Sequence, residues 1–134
     1  MESSDFAQVA KHALEFQSKY YKMLDSMDDR LKIVELYPED LSNLMEWNGH
    51  VLSTQQQIAN YIQGLPVTSH KVSCVDAHPL PGNQGGDAFL ITIHGDVTYA
   101  SDHKREFFQR FVVRRNPAGK YFIFNDYYRW LSEP

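Results

Sequence analysis

Apolar residues recur at steps of three and four from the start of the chain. Phe6, Val9, Ala10, Ala13, Phe16, Tyr20, Leu24 and Met27 fall on one helical face, so the spacing predicts one long amphipathic helix over 5–27. Ser3 and Ser4 stand just ahead as N-caps, and Asp5 suits the positive end of the helix dipole. The pattern breaks over 26–29, and a short second helix follows, with Leu31, Val34 and Leu36 inward and Pro38 as its stop. Asn48-Gly49 between apolar stretches predicts a two-residue hairpin turn, whose central residues both need positive φ, pairing Leu44–Trp47 with His50–Leu52. In TQQQIANYIQGLP, Thr54 and Gln57 make a capping-box pair, Ile58, Tyr61, Ile62 and Leu65 an apolar face, and Gly64 and Pro66 the exit.

From His70 the period changes to two. Strands are predicted over 70–79, 88–99, 104–115 and 120–130, with the Gly/Pro-rich PLPGNQGGD as a loop and Asn116-Pro117-Ala118-Gly119 as a turn. The expected fold class is α+β: three N-terminal helices and a small hairpin packed on one face of a bent antiparallel sheet, in a single domain over 1–134.

The last strand is apolar on both sides. Strict alternation puts Phe122, Phe124, Asp126, Tyr128 and Trp130 on one face and Tyr121, Ile123, Asn125, Tyr127, Arg129 and Leu131 on the other. The strand before it divides into Phe107, Gln109, Phe111 and Val113 against Phe108, Arg110 and Val112. Helices cover one face only, so the other is left for a second chain, and an arginine such as Arg129 within it suits a partner carboxylate. A solvated arginine at a strand end is the alternative.

Composition narrows the chemistry. Of 134 residues, 43% are hydrophobic, enough for a core, and the net charge of −4 argues against a protein built mainly to grip nucleic-acid phosphates. The start MESSDFAQ lacks a signal-peptide pattern, and the lone Cys74 rules out an internal disulfide, which favours a soluble intracellular domain. No histidine pair has ligand spacing, so no metal and no cofactor are expected. Asp76, His78, His94 and Asp126 are the candidate titratable groups for a cavity, and hydrogen-bonded structural or interface groups are the competing reading. The glycines of HGD and PGNQGGD read as turn residues, and Cys74 as a small core residue.

FQSKYYKMLD, WNGHVLSTQQQIANYIQGLP, VSCVDAHPLP, ITIHGDV and FIFNDYYRW together give the chain a resemblance to the nuclear transport factor 2 family over nearly its whole length. The resemblance implies a cone of bent sheet around a long helix, with pairing through the outer sheet face. Within the family, LMEWNGHVLS and GDVTYASDHKREFFQRFVV look most like the small-subunit branch. That branch implies a non-catalytic small subunit that pairs with the large mRNA export receptor (TAP, or nuclear RNA export factor), supports its binding of nucleoporin Phe-Gly repeats, and shuttles between nucleus and cytoplasm through the pore. The expected partner contacts are Arg129, Tyr127, Asn125 and Ile123 with Phe107, Gln109, Phe111 and Arg110. Arg129 falls on the arginine that pairs with a carboxylate of the large subunit. The alternatives are a homodimeric Ran-GDP import carrier and an enzyme using the cone cavity. Two acidic Ran contacts of the carrier fall on Asn48 and Ala100, while Asp102 keeps a carboxylate, and its repeat-binding tryptophan falls on Val9.

Overall fold

The structure, a computed structural model, describes residues 2–38, 45–80, 87–100 and 103–131. Helix α1 spans Glu2–Leu24 and buries Val9, His12, Ala13, Phe16, Tyr20, Tyr21 and Leu24. It begins earlier than expected, at Glu2, so Ser3 and Ser4 lie within its span and not ahead of it. Phe6, Ala10 and Met27 were expected inward and are exposed. Phe6 precedes the first buried residue, Ala10 sits on the flank facing Val75 and Ala77, and Met27 lies past the helix end.

Arg30–Leu36 forms a 3-10 helix. Its three-residue repeat turns Arg30 and Ile33 inward and leaves Leu31 exposed, which corrects the inward placement of Leu31. The buried Arg30 donates to Leu65 O at 2.7 Å and Pro66 O at 3.0 Å. It thereby satisfies carbonyls just past the end of helix α2, which spans Gln55–Gln63. Thr54 caps α2, accepting from Gln57 N at 3.1 Å, and the Gln57 side chain accepts from Ser53 N at 2.7 Å.

Strands β1 (Met45–Trp47) and β2 (His50–Leu52) form the expected hairpin, with Asn48 at φ 48 and Gly49 at φ 89. The four long strands are β3 (Thr68–Pro79), β4 (Ala88–Tyr99), β5 (His103–Arg115) and β6 (Tyr121–Trp130). They pair antiparallel in the sheet order β2-β1-β6-β5-β4-β3. The sheet is mixed and not wholly antiparallel, because β1 runs parallel to β6 in the register Met45↔Asp126 to Trp47↔Tyr128. Asn48 fastens this join: its N–H donates to Tyr128 O at 2.9 Å, and its Oδ1 accepts from Trp130 N at 2.8 Å. Leu44, the loop over 81–86 and Asp102 lie outside the described residues.

The core fills the hollow between the helices and the concave face. Phe16, Tyr20, Phe107, Phe111, Tyr128 and Trp47 are buried there, with Trp47 stacked on Tyr128 at 4.3 Å. Gly95 is not a turn residue. It lies within β4, where a Cβ would stand 2.2 Å from Lys71 O and 3.0 Å from the Phe107 ring. Glycine is needed there for close approach of two strands. Among the described residues no helix is long and apolar enough to cross a membrane, and no cluster of His, Cys, Asp or Glu has metal-site geometry.

Candidate functional site

The convex face of the sheet has no cover from the described part of the chain. Its central strands present Phe108, Arg110, Val112 and Arg114 from β5, and Phe122, Phe124, Asn125, Tyr127 and Arg129 from β6, each half-buried or exposed. The aromatic rings carry cations on their faces. The Arg110 guanidinium lies 5.2 Å from the Tyr127 ring centre, Arg114 5.5 Å from Phe124, and the Lys120 ammonium 5.4 Å from Phe122. A hollow of about 170 Å3 at the β1–β6–β5 junction is lined by Glu46, Val51, Arg110, Asn125 and Tyr127 among others.

A bulge in β6 decides which residues reach this face. Val112 pairs with Asn125 but Val113 pairs with Ile123, so Phe124 is an extra residue and the alternation changes phase there. Tyr121, Ile123, Asp126 and Tyr128 therefore point inward, while Phe122, Phe124, Asn125, Tyr127 and Arg129 point outward. Of the expected contacts, Arg129, Tyr127, Asn125 and Arg110 share the convex face. Ile123, Phe107, Gln109 and Phe111 do not: all four are fully buried in the chain's own core. Phe108, Val112, Arg114, Phe122 and Phe124 take their places. The β6 bulge hid Phe122 and Phe124 from simple alternation, whereas Phe108 and Val112 share a face with Arg110 along the regular β5.

The candidate titratable groups divide likewise. Asp76, His78 and His94 are exposed on the convex face. Cys74, expected in the core, is exposed, because a second bulge at Ser73 shifts the β3 alternation. Only Asp126 is inside. Tyr37 donates to its Oδ2 at 2.6 Å, Tyr20 reaches the same oxygen at 3.5 Å, and Gln109 Nε2 donates to Oδ1 at 2.8 Å. Tyr21 donates to Gln109 Oε1 at 2.6 Å and so fixes that amide's orientation. Burial pushes the Asp126 carboxyl up to about 6, and these donors restrain the rise. Burial also raises the Tyr20, Tyr21 and Tyr37 hydroxyls, which keeps them protonated as donors. Asp126 is thus spent on holding Tyr37 and Gln109 against β6.

A separate cavity of about 530 Å3 opens at the end of the sheet beside α2. Tyr61, Tyr99, Trp130 and Leu65 form its apolar walls, with His50, His103, Arg105 and Asn48 at its polar edge. Its described lining contains no carboxylate, and Asp126 does not reach it. A chain of hydrogen bonds runs from its wall to the end of α1. Trp130 Nε1 donates to Tyr99 OH at 2.9 Å, Tyr99 meets Tyr128 OH at 3.4 Å, and Tyr128 meets His70 Nε2 at 3.2 Å. The His70 Nδ1 meets Asp25 Oδ1 at 2.6 Å. Asp25 also accepts from His70 N at 2.7 Å and Thr68 Oγ1 at 2.8 Å, clasping the start of β3 to the first helix.

Comparison with known proteins agrees with this architecture. The chain is 31% identical over 128 residues to a Caenorhabditis elegans protein named NTF2-related export protein, a match covering 93% of this chain and 90% of that one. Its fold is similar to that of nuclear transport factor 2 from Cryptosporidium parvum, with TM-score 0.79, 23% identity, and coverage of 92% and 94%. It is also similar in fold to a chain of the Candida albicans Mtr2–Mex67 M domain complex, with TM-score 0.72, 15% identity, and coverage of 92% and 96%. The profile of the nuclear transport factor 2 (NTF2) domain matches residues 12–130, and the chain belongs to that family.

Proposed function

We propose that this chain is the non-catalytic small subunit of a heterodimeric mRNA export receptor. The convex face of its sheet pairs with the NTF2-like domain of the large export factor, and this pairing stabilises the large subunit's grip on nucleoporin Phe-Gly repeats. The complex shuttles through the nuclear pore. The observation that carries the reading is the uncovered stripe of Phe108, Val112, Phe122, Phe124 and Tyr127 with Arg129 exposed at its end. An unfinished apolar face calls for another polypeptide, and a standard interface buries about 1,600 Å2 or more. The C. elegans relative named for export and the fold neighbour from a two-protein complex support the same direction.

Arg129→Asp is the test. Arginine there faces a partner carboxylate, so reversal sets two acids against each other and weakens pairing by roughly 2–5 kcal/mol. Calorimetric titration of the large factor's NTF2-like domain reads this directly. Full-strength pairing by the variant, or no pairing by the native protein, overturns the reading.

A further inference from the structure

The charge pattern of the convex face says what chemistry its partner presents. The chain as a whole is acidic, with 17 Asp and Glu against 13 Lys and Arg. Its central convex stripe is the opposite. Arg110, Arg114, Lys120 and Arg129 lie on or beside β5 and β6, and among the described residues no carboxylate of these two strands projects between them. Among the described residues the carboxylates stand around it: Glu46 on β1, which shares a hollow with Arg110, Asp76 on β3, Asp87 beside Arg115, and Asp96 and Glu106 at one end. Among the described residues, Arg110 and Arg114 make no ion pair with Glu46, Asp76 or Asp96.

The cations also have aromatic neighbours. Arg110 lies over the Tyr127 ring and Arg114 over the Phe124 ring, contacts that restrict where each guanidinium rests. A guanidinium ordered before binding loses less freedom when it meets a carboxylate. Cations resting over half-buried rings, with Arg110 and Arg114 outside any ion pair among the described residues, form a surface suited to an anionic counterpart.

The same pattern weighs against self-pairing. In a two-fold dimer the same patch lies on both subunits, and residues near the axis meet their own copies. An axis through the β5–β6 stripe brings arginine against arginine, and like charges facing one another in an interface oppose association. We infer that this face takes a partner sheet bearing carboxylates opposite Arg110 and Arg114, and rejects a second copy of this chain. The inference rests on the heterodimer reading for the identity of the partner, but not for the partner's chemistry.

The test uses the chain as its own probe. Arg110 and Arg114 are exposed, so R110E/R114E keeps the fold, which circular dichroism verifies. Sedimentation is run on the native protein, on the variant, and on an equimolar mixture at low salt. The mixture is expected to form a dimer that 0.5 M salt dissolves, with each protein alone remaining monomeric. A native protein that dimerises by itself overturns the inference, as does a mixture that stays monomeric. In the second arm, R110E/R114E binds the large export factor at least 100-fold more weakly than native protein, whereas an equal affinity overturns the inference. Failure of the native protein to bind that factor removes the export reading alone, since the self-mixing arm still decides the partner's chemistry.

Discussion

The hydroxyl of Tyr37 donates to Oδ2 of Asp126 at 2.6 Å, across 89 positions of sequence. Tyr37 follows the 3-10 helix and Asp126 lies in the last strand, so one bond joins the early helical layer to the centre of the sheet. Tyr37→Phe removes the shortest donor to a buried carboxylate. Above pH 6 the expected loss is about 1–3 kcal/mol. Near pH 4.5 the carboxyl is neutral and the loss is smaller. Urea unfolding at the two pH values measures the difference, and equal losses would mean that Tyr37 contributes packing alone.

Asp126 also sets a direction for pH dependence. Its folded carboxyl holds a proton up to about 6, against 3.8 for the ordinary group. Between those values the native state binds more protons than the unfolded chain, so stability falls as pH rises through that window and levels off above it. The fall attributable to this group is about 3 kcal/mol. Asp126→Asn has no proton to lose, so the difference in stability between the two proteins should change by that order between pH 4 and pH 7. A difference that stays constant across the range refutes the assignment.

Asp25 accepts from Thr68 Oγ1, from His70 N and from the His70 ring. Asp25→Ala strands a backbone N–H and a hydroxyl, and the expected destabilisation is about 2–4 kcal/mol. Hydrogen exchange gives a local reading: the His70 amide should lose protection more than amides of β5.

Gly95→Ala drives a methyl into the Lys71 carbonyl, a backbone atom that cannot step aside. Destabilisation of about 3 kcal/mol or more is expected, by thermal unfolding. Gly119→Ala is the contrast, strained by its φ of 85 and expected to cost about 1 kcal/mol.

Local rules carried much of the fold. The Asn48-Gly49 turn, the Thr54 cap and all four long strands follow from turn chemistry, capping and periodicity, and they appear within a few residues of expectation. What escaped depends on distant parts of the chain. The bulges at Ser73 and Phe124 show only in the register against β4 and β5, yet each reverses which residues face outward. For that reason Ile123 could not be placed by alternation, whereas β5 has no extra residue and its two faces follow plain alternation, with Arg110 outward and Phe107, Gln109 and Phe111 inward. Burial of Arg30 was equally hidden, since its acceptors are carbonyls 35 and 36 residues away.

The bulge at Ser73 has a consequence for solubility. β3 borders the open sheet on one side, twelve residues long, and an unbroken rim of that length invites strands from other molecules. The misstep between Val72 and Cys74 splits the rim into two short runs of different phase, and Lys71 and Asp76 place a charge on each. An incoming strand can match one run or the other but not both, which protects the protein from edgewise aggregation.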